Sequence, residues 1–209
     1  MSQNHIVQLP AAARLSSKES INPGDIAQEW LTALQSALQS SSSSSASSYE
    51  NLFHPDGWWR DHLALQWDFR TLRSAASISS FLAEFQPTAK LSNLTLQTEG
   101  KYVPHVSSPE NQLDFVASMF FFESHAGRGT GILRLLRDEG ATGEWKAYAV
   151  YTSLQELKGA EEPLGPKRVY GTLDSMPGGL AGGTWAERRK KQAEFVGAEP
   201  VVLVVGAGI

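Results

Sequence analysis

The chain has 209 residues, of which 41% are hydrophobic, 10% aromatic and 19% charged, with a formal net charge of −4 and no cysteine. Such a length fits one domain of about 100–200 residues with some left over, and the composition supports a packed core rather than full disorder. The acidic balance argues against a nucleic-acid module, and the lack of thiols excludes disulfides, thiolate metal sites and a Cys nucleophile.

No apolar run approaches the roughly 20 residues that span a bilayer. The first residues, MSQNHIVQLPAAARLSS, lack a basic stretch followed by an apolar one and so do not form a secretory signal. Both features point to a soluble, intracellular and cytoplasmic protein without a membrane or nucleic-acid partner.

Residues 1–21 show no sustained period and read as a flexible arm. A helix then starts at Asn22, which can cap it, with Pro23 at the first position and Asp25 at the positive end of the dipole. Ile26, Trp30, Leu31, Leu34 and Leu38 form its apolar stripe. The serine run over residues 40–48 reads as a loop, because serine competes with the backbone for hydrogen bonds and buries little. Next comes an aromatic-rich segment, residues 49–60, in which His54-Pro55-Asp56-Gly57 is a turn signal. Leu63, Leu65, Trp67, Phe69 and Leu72 are apolar points beyond it. Residues 77–85 predict a helix with Ile78, Phe81, Leu82 and Phe85 on one face, ended by Pro87.

The period then drops to two. Leu94 and Leu96 alternate with polar residues. Three longer strands follow, around residues 113–122, 131–136 and 145–152, joined by turns at 125–129 and 138–144. They predict an antiparallel meander. Helices followed by a meander make an α+β arrangement, with a sheet that can curl around the helices and leave a cavity. Residues 158–183 lose the pattern and read as a linker. Thr184 and Glu187 make a capping box for a short helix, which Gly197 and Pro200 stop. Residues 201–205, VVLVV, read as a buried parallel strand, and Gly206-Ala207-Gly208-Ile209 closes the chain.

Two stretches carry a family resemblance. The first helix, the segment GWWRDHLALQWDFRT, the second helix and the meander resemble an NTF2-like, or SnoaL-like, cone over residues 22–157. Residues 184–209, TWAERRKKQAEFVGAEPVVLVVGAGI, resemble the entry into the FAD-binding domain of flavin-containing monooxygenases, whose fungal-type members place an NTF2-like domain first. The resemblance implies a parent protein that binds FAD and NADPH and oxygenates a small organic substrate. Gly206 and Gly208, with Ala207 between them, match the start of G-x-G-x-x-G. The third glycine would fall beyond Ile209, so the expectation is a truncated product, or a partial gene, that stops inside an incomplete Rossmann unit. The fragment itself is expected to be non-catalytic, with the cone serving packing, dimerisation or substrate access.

Within the cone, Trp58, Trp59, Asp61 and His62 are the pocket candidates, since active cones use Asp and His as acid and base. That reading makes the domain a stand-alone cyclase, isomerase or dehydratase. Against it, adjacent tryptophans mostly mean packing, with Arg60 or Asp61 pairing locally. A third reading is a homodimer through the sheet face. Asp68, Arg70 and Arg73 read as a solvated or paired face, as do Arg188, Arg189, Lys190 and Lys191. The five histidines, His5, His54, His62, His105 and His125, have no metal-ligand spacing, and no metal site is expected.

Overall fold

The structure is a computed structural model and describes residues 21–40, 49–108, 113–138, 143–162 and 184–195. Residues 1–20 of the predicted arm, residues 41–48 of the serine loop, most of the linker and residues 196–209 lie outside the described residues. The chain divides into two compact units, one ending at Glu161 and one beginning at Glu162.

The first unit opens with α1 (Pro23–Gln39). Its start follows from the sequence as expected: Asn22 Oδ1 accepts from the Gly24 amide at 3.0 Å, Pro23 needs no partner for an N–H it lacks, and Asp25 sits in the first turn. Trp30, Leu31, Leu34 and Leu38 are buried along one face, joined by Ala27 and Ala37. Six further elements make the sheet and its second helix: β1 (Phe53–His62), β2 (Phe69–Arg73), α2 (Ala75–Ala89), β3 (Ser92–Leu96), β4 (His105–Ser107) and β5 (Phe115–Glu123). Two long strands, β6 (Gly127–Arg137) and β7 (Trp145–Leu157), complete it. The strand order is β2-β1-β7-β6-β5-β3, with β4 also paired to β5. Every pairing is antiparallel except β1 with β7. The expected meander is β5-β6-β7, and the class is α+β as anticipated.

Strand alternation sends Phe53, Trp59, Phe120, Phe122, Leu133, Leu135, Ala147 and Val150 to one face. There they join the apolar stripes of α1 and α2 in one core cluster. The meander's register is set by local chemistry. In β6, Gly129 and Gly131 stand directly opposite Phe122 and Phe120, and a methyl group on either glycine would overlap the facing ring. The glycines thus let the two rings lie flat across the strand.

Three expectations change. The turn signal at His54-Pro55-Asp56-Gly57 is a bulge inside β1: the register against β7 shifts between Phe53 and Trp58. A bulge tolerates Pro55, which cannot donate to a ladder, and bends the strand. Secondly, α2 runs past Pro87 to Ala89. Pro87 costs one helical bond, but Gln86 holds the last turn by donating to the Leu38 and Leu91 carbonyls (3.2 and 3.0 Å) and accepting from the Leu91 amide (3.1 Å). Thirdly, the β5–β6 turn is tighter than residues 125–129. Ser124 and Gly127 close it, with the Ser124 amide donating to the Gly127 carbonyl at 2.8 Å, so Gly127 and Gly129 already belong to β6.

In the second unit the described element is α3 (Trp185–Ala193). Its capping box forms as expected: the Glu187 carboxylate accepts from the Thr184 amide at 2.7 Å, and the Glu187 amide donates to Thr184 Oγ1 at 3.3 Å. The helix ends four residues before Gly197, with Phe195 in the left-handed region. Arg189, Lys190 and Lys191 are exposed, and Lys190 faces Glu194 one turn on at 3.9 Å.

Candidate functional site

The segment Trp58-Trp59-Arg60-Asp61-His62 forms the second half of β1. Because side chains alternate along a strand, it is divided between the two faces of the sheet. Trp59 and Asp61 point to the core and are fully buried, whereas Trp58, Arg60 and His62 belong to the other face. Asp61 and His62 therefore do not share a site.

On the inner face a buried chain of hydrogen bonds links three elements of the primary sequence. Trp59 Nε1 donates to Thr152 Oγ1 at 2.9 Å, and Thr152 Oγ1 donates to Asp61 Oδ1 at 2.6 Å. Asp61 Oδ2 accepts from the Leu65 amide at 3.1 Å, with the Ala64 and Gln66 amides also turned toward the carboxylate. Asp61 thus pins the tip of the loop between β1 and β2, where Leu63 takes a positive φ of 64°. Burial raises its pKa above the usual carboxylate range, opposed by the hydrogen bonds from Thr152 and the loop amides.

On the outer face, Arg60 Nε donates to His62 Nε2 at 2.8 Å, and Arg60 also donates to Thr71 Oγ1. His62 Nδ1 lies 3.0 Å from the Tyr151 hydroxyl, and its ring packs on Phe69 at 4.6 Å between centroids. Arginine has no lone pair to offer, so this arrangement needs Nε2 unprotonated and the ring proton on Nδ1. Trp58 lies under the Arg73 guanidinium at 5.3 Å. Around them the register aligns Met119, Ile132 and Tyr151 in one row, and Phe121, Thr130 and Ser153 in the next. Ile132 is 45% exposed and Phe121 43%, large values for residues in the middle of a sheet.

The charges at the edge behave as expected of a paired surface: Arg70 meets Asp68 at 3.2 Å and Arg73 meets Asp56 at 3.7 Å, all of them exposed. His125 is exposed in the β5–β6 turn. His54 is buried against Tyr148. Among the described residues no three His, Cys, Asp or Glu side chains group to hold a metal, and no helix is long and apolar enough to cross a membrane. Gly206, Ala207 and Gly208 lie outside the described residues. Thr152 is the member of the inner chain that sequence reasoning missed. A lone threonine in an alternating strand carries no signal until the parallel pairing with β1 sets it opposite Asp61.

No family model matches the chain, and no curated protein does. Several solved structures are similar. One is an NTF2-like protein from Cytophaga hutchinsonii, at 14% identity and a TM-score of 0.45, covering 65% of this chain and 100% of that one. ActVI-ORFA from Streptomyces coelicolor is 14% identical with a TM-score of 0.43, over 62% of this chain and 94% of that one. A putative ketosteroid isomerase from Parabacteroides distasonis is 14% identical with a TM-score of 0.39, over 60% of this chain and 84% of that one. At such values the likeness assigns no activity to this chain.

Proposed function

We propose that the first unit is an NTF2-like domain whose work is interaction rather than catalysis, pairing two copies through the outer face of its sheet. One observation carries this reading: the two faces of the sheet differ, with the candidate acid of β1 built into the core and apolar residues of β5, β6 and β7 left on the outer face. Asp61 is occupied by Thr152 and the loop amides, while Phe121, Met119, Ile132 and Tyr151 offer an apolar surface on the side away from α1 and α2. Covering such a surface is favourable at about 25 cal/mol per Å². Sedimentation of the full chain tests the pairing. The wild type is expected to sediment as two copies and Ile132→Asp as one; a wild type that stays single at 100 μM sinks the reading.

In the intact parent, the domain would precede a flavin-binding domain of a monooxygenase-like oxidoreductase that uses FAD and NADPH. Support comes from the sequence of residues 184–209, where Gly206, Ala207 and Gly208 would face the pyrophosphate. Flavin brings its own oxygen-transfer chemistry, and these three residues would contribute backbone amides to hold it. The visible spectrum of the whole gene product tests this: bound flavin is expected, and its absence from well-folded protein contradicts it.

A second reading has one observation in its favour. A buried carboxyl with a raised pKa is a trait of catalytic acids, so Asp61 could serve a cyclase, isomerase or dehydratase acting on a hydrophobic small molecule. It requires that Asp61→Asn abolish turnover while the fold is kept.

A further inference from the structure

We infer, on the basis of the sheet pairing proposed above, that acid separates the two copies and that His62 on the outer face is the group that senses it. His62 is fastened through both ring nitrogens. Arg60 Nε donates to Nε2 at 2.8 Å, and the Tyr151 hydroxyl lies 3.0 Å from Nδ1. Only the neutral ring, with its proton on Nδ1, satisfies the Arg60 contact. Histidine is the side chain whose charge ordinarily changes between about pH 5 and 8, and a second proton on this ring goes to Nε2. It sets donor against donor at 2.8 Å and a positive ring against the Arg60 guanidinium.

The neighbours of His62 cannot absorb that charge. From β2, Phe69 packs on the ring, and Thr71 takes a second bond from Arg60 at 2.8 Å. From β7, Tyr151 and Ser153 stand beside Arg60 and His62 in the register. The cross-strand rows through Trp58, Arg60 and His62 hold Arg73, Arg134 and His105, and no carboxylate. The acids that border the face are engaged elsewhere. Asp56 meets Arg73 at 3.7 Å, Asp68 meets Arg70 at 3.2 Å, Glu123 and Glu156 both stand opposite Arg128, and Asp61 is buried in the core. Of the arginines, Arg73 also lies over the Trp58 ring and Arg134 over that of Phe115. Arg60 differs: among the described residues its hydrogen bonds go to His62 and Thr71, both uncharged at neutral pH. The neutral ring thus holds the guanidinium along the sheet, and leaves Tyr151, Ile132 and Met119 of the same row free to be covered. Protonation frees Arg60 toward the second copy and adds one charge per copy. A closed pair would then bury two charged rings and two loosened guanidinium groups without a counter-charge, which is costly. Separation of the copies therefore takes up protons, and acid favours it.

Sedimentation of the full chain at about pH 8 and about pH 5.5 tests this, since histidines change charge between those values. The dissociation constant of the wild-type pair is expected to rise about tenfold or more in acid, because each copy takes up a proton on separating. His62→Gln cannot take up that proton, and its constant is expected to be the same at both pH values. A second measurement needs no variant. At about pH 6.5, in the range where histidines titrate, the nitrogen resonances of the wild-type rings report their charge. The protonated fraction of His62 is expected to grow as the protein is diluted, while that of His125, exposed in the β5–β6 turn, stays constant. A wild type that remains single at the higher pH overturns the pairing, and acid sensing with it. A wild type that pairs equally well at both pH values overturns acid sensing alone. So does a His62→Gln that keeps the wild-type dependence, or a His62 charge that ignores dilution. The resonance measurement decides the matter even if His62→Gln folds poorly.

Discussion

Thr152 carries more of the inner face than its size suggests. Its hydroxyl accepts from Trp59 and donates to Asp61, so removing it leaves a buried indole N–H and a buried carboxyl oxygen unpaired. Thr152→Val keeps the shape and is expected to cost about 3 kcal/mol, against about 1 kcal/mol for Thr152→Ser, which keeps the hydroxyl. Urea unfolding at pH 7 checks both; equal losses would show that packing alone matters at this position. Asp61 supplies a pH test. Its carboxyl binds a proton more tightly in the folded chain than in the unfolded one, so its contribution to stability is largest in acid. That contribution falls as pH rises from the ordinary carboxylate value to the raised folded value, and is level above it. The stability of wild type relative to Asp61→Asn is therefore expected to decline with rising pH across that window. A gain instead would mean that the loop amides outweigh burial. At this scale the sequence was informative about which residues mattered and silent about how. It marked Trp58, Trp59, Asp61 and His62 together, but only the strand assignment of this segment separates Trp59 and Asp61 from Trp58 and His62.

At the scale of elements, what was legible depended on whether the signal was local. α1 announces itself through its cap and stripe, and β5 to β7 through alternation and glycine turns. β1 was hidden because its bulge is written in turn residues, His54-Pro55-Asp56-Gly57, and because its parallel partner β7 lies about 90 residues away along the chain. α2 runs longer than its sequence predicts, because Pro87 is a sound stop signal on its own and the side chain of Gln86 that rescues the last turn reaches Leu38 on another helix. The meander offers a clear test. Gly131→Ala drives a methyl group into the facing Phe120 ring and is expected to cost about 2 kcal/mol or more, while Thr130→Ala, its neighbour on the other face, costs less than about 0.5 kcal/mol. Thermal unfolding of the two variants distinguishes them. Similar melting temperatures would mean that the glycines are not needed for the rings to pack.

At the scale of the whole molecule, two surfaces of the first unit have different fates. The inner face is consumed by α1, α2 and the core; the outer one presents Phe121, Met119, Ile132 and Tyr151 beside the Arg60–His62 pair. A sheet face of this kind is an invitation to a second copy, and the absence of cysteine from the chain makes the contact easy to probe. Thr130→Cys places a single thiol on the outer face, next to Phe121 and Ser153 in the register, where a spin label can be attached. Ser77→Cys, at an exposed position of α2, provides the control. Dipolar electron resonance on the labelled full chain is expected to give one defined, short distance between two copies for the label at position 130, and a longer one for the label at position 77. The absence of any intermolecular coupling at position 130, in protein shown to be folded, would contradict the pairing of two sheets.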